Sequence, residues 1–396
     1  MAHILIAGGG IGGLAAALGL TAKGHRVTVL ERGEEFTELG AGIQLGPNAF
    51  HALDRLGVAE QVRARAVFID ALRLKDGTTG ELINAMPLTE GYRERFGNPY
   101  AVVHRIDLYR PLLDACRRTP AAELLTDSGV VEYTRHEDTV SVRLADGRRL
   151  TGDALIGADG IRSAVRGQLV GDGEPRVSGH TIYRSVIPMD EVPQEVRSPG
   201  VTLWAGPRWH FVHYAISGGR QLNMAMTLDD GAREAVSGRP ATLAEVRGRP
   251  YPGMCEGTRR LLELGRDWRC WVLCDRDPLD VWVQGRVALL GDAAHPMLQY
   301  AAQGACQALE DAVVLGGLLD GCPPAALPGR LLRYNAVRRD RTARAQLVAR
   351  EMGRQVYHPD GVAAKERNVA LSALSPTQLW DKVDWLHADR DFFRSA

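Results

Sequence analysis

The sequence predicts an α/β fold interrupted by a sheet-rich insert and closed by a mostly helical C-terminal part. Three observations lead there. The chain opens on an apolar strand, a glycine cluster, an alanine- and leucine-rich helix and a second strand, which is a βαβ beginning. From about Val177 the texture changes to successive runs with period-two alternation. After Gly285 it returns to strand, glycine turn and long helix.

The elements follow in order. His3 to Ala7 is a short apolar strand running into Gly8-Gly9-Gly10-Ile11-Gly12-Gly13. Leu14 to Lys23 reads as a helix stopped by Gly24, and Arg26 to Leu30 as a strand ending at Glu31. Gly8-x-Gly10-x-x-Gly13 therefore stands between a strand and a helix, the context that a dinucleotide fingerprint needs. The first glycine makes the tight turn, the second lets a pyrophosphate approach the backbone, and the third lets helix and strand pack closely. Phosphates then meet the free N–H groups at the helix N-terminus. Glu31, 18 residues beyond Gly13, is placed to accept from ribose hydroxyls. The fingerprint alone does not separate NAD from FAD.

Thr181 to Ile187, Val201 to Ala205, Trp209 to Ile216 and Gln221 to Leu228 read as strands of an insert of about a hundred residues. In Trp209 to Ile216, period two puts His210, Val212 and Tyr214 on one face, and Phe211, His213 and Ala215 on the other. His210-x-x-His213 is thus a poor metal pair, and no metal is implied. In Gln221 to Leu228 one face carries Leu222, Met224, Met226 and Leu228. Residues 330 to 396 look mostly helical, with a Trp380/Trp385 pair.

Composition bounds the function. The 396 residues are 45% apolar and 24% charged, with Lys+Arg and Asp+Glu both 48. A balanced charge without a basic stripe argues against a nucleic-acid or anionic-membrane surface. No apolar run approaches the ~18 residues of a membrane span, and no signal peptide is read at the start. Six cysteines form no Cys-x-x-Cys and no framework, which fits free thiols and a cytoplasmic protein.

Two further runs select the cofactor. Asp153-Ala-Leu-Ile-Gly-Ala-Asp159-Gly160-Ile-Arg162-Ser163 is a strand, an Asp-Gly turn and a helix start. Gly285-Arg-Val-Ala-Leu-Leu-Gly291-Asp292-Ala-Ala-His295-Pro296 is a strand delivering Asp292 to a turn, where its carboxylate can bind a polyol hydroxyl. The following Gln303-Gly304 step starts a helix whose N-terminus could stabilise charge on a reduced ring system.

With the fingerprint, these motifs resemble the single-component flavoprotein aromatic hydroxylases, from Ile4 to about Arg344. The resemblance implies a Rossmann-like FAD-binding domain, interleaved with a mostly antiparallel β-sheet substrate domain and followed by a helical C-terminus. The FAD-binding domain takes residues 1–75, 101–170 and 276–335, the substrate domain 76–100 and 171–275, and the C-terminal segment 336–396. Glu31 is similar to the family's adenosine-ribose ligand, Asp292 to its ribityl ligand, and Arg105 to the arginine near the FAD phosphates and ribityl chain. The same resemblance adds Arg32 and Ala305 to the cofactor set. Asp159 is similar to the residue linking FAD and nicotinamide binding, although a turn former and cap is its other reading. No second fingerprint appears, which suits a family whose NADH or NADPH visits transiently.

In such enzymes reduced FAD and O2 give a C4a-hydroperoxide, and the protein makes a phenol more nucleophilic. A neutral histidine suits that deprotonation. Within the family, Arg208 to Tyr214 and Leu290 to Gly304 look most like the group that hydroxylates 3-hydroxybenzoate. That resemblance gives His210 as the base toward the phenol, with Tyr214 and Gln299 at the substrate. His213 and Met297 depart from the pattern; His213 is expected to point away from the ring. His295 reads as structural, and Trp268/Trp271 as packing. An arginine such as Arg184 could meet a carboxylate but is left out of the site set.

The function implied is NAD(P)H- and O2-dependent hydroxylation of a phenolic benzoate, first 3-hydroxybenzoate para to its hydroxyl, giving 2,5-dihydroxybenzoate. Salicylate or an amino- or methyl-substituted hydroxybenzoate is the alternative substrate. More distant alternatives are a non-oxygenase flavin reductase and a redox-responsive FAD-binding module. A homodimer is expected, without nucleic acid or membrane partners.

Overall fold

The three glycine motifs meet because their strands belong to one sheet. In the computed structural model, which describes residues 1–38 and 40–393, that sheet has six strands. His3–Ala7 pairs in parallel with Arg26–Leu30 on one side and Ala154–Gly157 on the other. Ala122–Leu125 and Val287–Leu289 extend it in parallel, and only the edge strand Val283–Gln284 is antiparallel. Parallel neighbours run the same way, so Gly8, the Ala158-Asp159 turn and the Leu290-to-Asp292 turn all leave the sheet at its carboxyl edge. In open α/β sheets that edge is where ligands bind. The strands are buried on both faces, which explains their continuous apolar reading.

The helix Ile11–Thr21 packs on the sheet and against the helix Gly304–Leu318. Backbones nearly touch where they cross: a Cβ on Gly316 would lie 2.6 Å from the Gly19 carbonyl oxygen.

The insert forms an eight-stranded sheet in the order Arg239–Pro240, Arg269–Asp275, Arg176–Pro188, Gln221–Asp229, Trp209–Ile216, Val201–Gly206, Ala71–Asp76 and Leu82–Pro87. It is antiparallel except where Val201–Gly206 meets Ala71–Asp76. Both faces of its central strands are covered. Leu222, Met224, Met226 and Leu228 pack with Trp209, Phe211, Trp268 and Cys270 on the far side. The opposite face of the same strands turns toward the parallel sheet and walls the cleft between them.

The C-terminal part is helical, as expected: Leu327–Met352, a π turn at Gly353–Tyr357, then Gly361–Ser372 and Pro376–His387. A capping box between Ser375 and Gln378 starts the last helix. Trp380 donates to the Pro87 carbonyl at 2.8 Å, and the Arg344 guanidinium lies 4.0 Å over the Trp385 ring. Residues 394–396 of the predicted C-terminal segment, and position 39 of the first predicted stretch, lie outside the described residues. Among the described residues no helix is long and apolar enough to cross a membrane.

Candidate active site

The cleft between the two sheets holds about 330 Å³. Its parallel-sheet half is built from turns. Gly8 has φ +102°, and a Cβ there would sit 2.4 Å from the Ala158 carbonyl oxygen, so only glycine makes this turn. A Cβ on Gly10 would meet only open space, because that face borders the cleft. The helices Ile11–Thr21 and Gly304–Leu318 both begin at the cleft with no side-chain cap and no acidic residue in the first turn. Their N–H groups and positive helix ends are left to an anionic or polarised ligand. Asp292 lines the cleft as an exposed carboxylate between buried Gly291 and Ala293. Arg105 enters from the start of its helix with its Nε 2.7 Å from Glu38. A diphosphate, a polyol and an electron-accepting ring would each find matching partners here, which is the chemistry of FAD.

The other half is a chamber walled by the eight-stranded sheet. His210, Val212 and Tyr214 all face it, as period two predicts, with Asn223 and Ala225 from the neighbouring strand. His213 points to the other side, where it stacks with Trp204. A Cβ on Gly42 would lie 2.5 Å from the Tyr214 ring, and the Gly42 N–H donates to Asn223 Oδ1 at 2.8 Å. This contact locks the strand Gly42–Leu45 against the phenol of Tyr214.

The ionisable groups here are shifted by burial. Desolvation keeps His210 well below the ordinary histidine range, helped by nearby His358 and His180. Burial pushes Tyr214 up to about 12, with Arg184 pulling the other way. Arg184 donates to Gln299 Oε1 at 2.6 Å, and Gln299 donates onward to Thr227. Desolvation lowers Arg184 from its usual value, and no carboxylate pairs with it among the described residues. A half-buried guanidinium without a counter-ion among the described residues, in one chamber with a neutral histidine and a phenol donor, has the chemistry to receive an anion carrying its own hydroxyl.

The cleft thus brings together Gly10, Arg105, Asp292, Ala305, His210, Tyr214 and Gln299. Gly8, Gly13, Glu31, Arg32 and Asp159 are outside its lining. Gly8 and Gly13 shape the turn; a Cβ on Gly13 would stand 2.0 Å from the Gly8 oxygen. Glu31 accepts from the N–H groups of Gly9 and Gly33 at 2.8 and 2.9 Å. Ser163 caps the helix Ala164–Leu169, and Asp159 braces that cap and first turn, accepting from Ser163 Oγ and from the Ala164 N–H at 2.8 Å. His104 caps its own helix and His295 hydrogen-bonds buried Asp311 at 2.6 Å, both structural tasks. Sequence reasoning passed over His358, His180, Tyr300 and Asn223, and left Arg184 aside. The signal for Arg184 and Asn223 was their place on the cleft-facing register of the strands; His358 carried none.

Comparisons with known proteins identify the family and the fold. The family described as FAD binding domain matches residues 1–242 and 271–350. The chain is 48% identical over 389 residues to 3-hydroxybenzoate 6-hydroxylase 1 of Aquipseudomonas alcaligenes, covering 97% of each chain. It is 35% identical to a 3-amino-4-hydroxybenzoate 2-monooxygenase of Streptomyces cremeus, over 95% of this chain and 93% of that one. Among solved structures, a salicylate hydroxylase in complex with its substrate superposes with a TM-score of 0.84 at 27% identity, over 100% of this chain and 98% of the other.

Proposed function

Since the chain belongs to the FAD binding domain family, as an FAD-dependent aromatic hydroxylase, we propose that its substrate is a phenolic benzoate, first of all 3-hydroxybenzoate. The oxygen enters para to the hydroxyl, giving 2,5-dihydroxybenzoate. When bound and reduced by NADH or NADPH, FAD supplies with O2 the electrophilic oxygen atom. Gly8, Gly10 and Gly13 with the uncapped helix Ile11–Thr21 take its diphosphate, Glu31 and Arg32 its adenosine end, Arg105 and Asp292 its ribityl chain, and Ala305 its ring. Asp159 stands outside the cleft lining, at the start of the next helix.

One observation carries the substrate reading: Arg184 has no carboxylate partner among the described residues and shares the chamber with His210. The substrate carboxylate neutralises Arg184, and Gln299, already oriented by that arginine, fixes the ring beside it. His210 is neutral, so its cleft-side Nε2 can accept the phenol proton and raise the electron density of the ring at the ortho and para carbons. Tyr214, held protonated by burial, donates to the substrate. Val212, Met297 and Leu298 complete the wall with apolar groups and limit water.

The test is oxidation of NADH and of NADPH by the FAD-loaded protein in air, with 3-hydroxybenzoate, salicylate or 3-amino-4-hydroxybenzoate, and with products identified. Stimulation by 3-hydroxybenzoate with 2,5-dihydroxybenzoate formed is expected. The relationship to the aminohydroxybenzoate monooxygenase makes 3-amino-4-hydroxybenzoate the second candidate; hydroxylation of it alone would move the assignment there.

A further inference from the structure

Behind the substrate chamber His210 has a second histidine as its partner. His210 Nδ1 lies 2.8 Å from His358 Nε2, and both side chains are buried. The two rings are 4.9 Å apart. His358 comes from the far end of the chain, delivered by the π turn Gly353–Tyr357, whose extra residue closes with the His358 N–H on the Gly353 carbonyl at 3.1 Å. Single π turns inside helical segments re-aim side chains and often mark functional positions. Gly353 permits the approach, since a Cβ there would stand 2.7 Å from the Tyr300 ring.

Only one proton fits between Nδ1 and Nε2. If His210 Nε2 is to accept from a phenol, its own proton must be on Nδ1, donated to His358 Nε2. The remaining proton of His358 is then on its Nδ1, which is buried without a hydrogen-bond partner. The groups facing the pair are His180 from the strand Arg176–Pro188, Tyr300 from the short turn Gln299–Ala301, Tyr357 from the π turn and Arg208 from the turn ahead of His210. His180 is tied to the Tyr300 hydroxyl at 2.6 Å and feels Asp229, Asp230 and Asp275. Among the described residues no carboxylate bonds to either ring of the pair.

We propose that His358 is a positioning residue that fixes His210 in the proton-accepting tautomer and takes over the shared proton when the phenol ionises. The inference rests on His210 being the base. The phenol O–H bond breaks as His210 Nε2–H forms, and His210 Nδ1–H breaks as His358 Nε2–H forms. His210 ends neutral, donating Nε2–H to the phenolate, while the positive charge resides on His358. Burial disfavours that charge in the protein alone, and an adjacent phenolate and carboxylate reverse the preference.

The experiment uses oxidised holoenzyme and follows the ultraviolet difference spectrum of bound 3-hydroxybenzoate from pH 6 to 9, together with product formation under turnover. Wild type should bind the ligand with a phenolate signature at pH 7. His358→Gln keeps an acceptor near the Nε2 position but cannot take up a proton. It should lose the signature at pH 7 and form product about 10- to 100-fold more slowly, with FAD binding and ligand affinity within about threefold of wild type. Its rate should recover as pH rises toward the phenol's own ionisation, about 10. His358→Asn, too short to reach Nδ1, serves if the first variant fails to fold, and should lose the signature as well. A wild-type signature and pH profile in the variants, or a loss uniform across pH, overturns the relay. The same measurements are run with salicylate and 3-amino-4-hydroxybenzoate. Turnover of one of these in place of 3-hydroxybenzoate changes the substrate and still tests the relay, whereas turnover of none overturns both readings.

Discussion

Two buried polar clusters lie on opposite sides of the cleft, and they are built on opposite terms. Behind the helix Gly304–Leu318, Arg338 binds Glu310 at 2.6 Å and Asp311 at 2.7 Å, while Arg341 binds Glu310 at 2.7 Å and the Leu386 carbonyl at 2.9 Å. Asn48 and His295 complete the set. Every charge there meets an opposite one. In the proposed substrate chamber Arg184 meets none among the described residues, and burial holds the His210 and His358 imidazoles toward the neutral form. A charge-balanced cluster holds elements together, here the cleft-forming helix and the C-terminal segment. One that lacks its counter-charge is completed by something that arrives.

The comparison predicts where substitutions cost stability and where they cost activity. Arg338→Ala strands two buried carboxylates and should lower stability by about 3–5 kcal/mol, read as a fall in Tm or loss of soluble protein. Against desolvation, Arg341 and Arg338 hold Glu310 down to about 2, and His295 and Arg338 do the same for Asp311. Depressed carboxyl values give stability that is present above the unfolded value of about 4 and lost as pH falls toward 2. Wild-type Tm should drop steeply through that window and the Arg338→Ala protein should show a shallower drop. An equal slope would detach the cluster from acid stability.

His210→Ala should move activity on a similar scale with little change in Tm. A general base contributes about 10²- to 10⁴-fold, so hydroxylation should slow within that range while FAD remains bound. Unchanged hydroxylation would remove His210 as the base. Arg184→Met separates the two clusters most sharply. It should raise the KM for a hydroxybenzoate about tenfold or more, the worth of one charged hydrogen bond, yet leave Tm unchanged or higher because a half-buried charge without a counter-ion among the described residues is gone. A large loss of Tm would class Arg184 with the charge-balanced cluster.

The same contrast explains what could be read from the sequence. The FAD half was legible because each part is local: a strand, its glycine turn and the next helix stand within a few residues, and the parallel sheet then gathers the three runs at one edge. The His210/Val212/Tyr214 face was legible too, since period two is a property of a single strand. The eight-stranded sheet was foreseen as mostly antiparallel; its one parallel pair joins Ala71–Asp76 to a strand distant in sequence, a choice that no local pattern records. His358 lies 148 residues from His210 and Arg184 lies 115 from Gln299. Such pairings depend on register and on the path of the C-terminal helices, and no local spacing encodes them.

Asp159 is where local reading left two meanings, and the smallest predicted effect decides between them. Its carboxylate is half-buried, accepts from Ser163 and from the N–H groups of Ala164 and Val165, and is raised by desolvation against those bonds. These are the bonds of a helix cap, worth about 1 kcal/mol at typical N-termini. Asp159→Ala should therefore lower stability by about that amount, with reduction of bound FAD by NADH changed less than about twofold. A tenfold slower reduction at unchanged stability would make Asp159 part of nicotinamide recognition. It would then belong with the groups completed by an arriving ligand, although its own hydrogen bonds in the protein are already made.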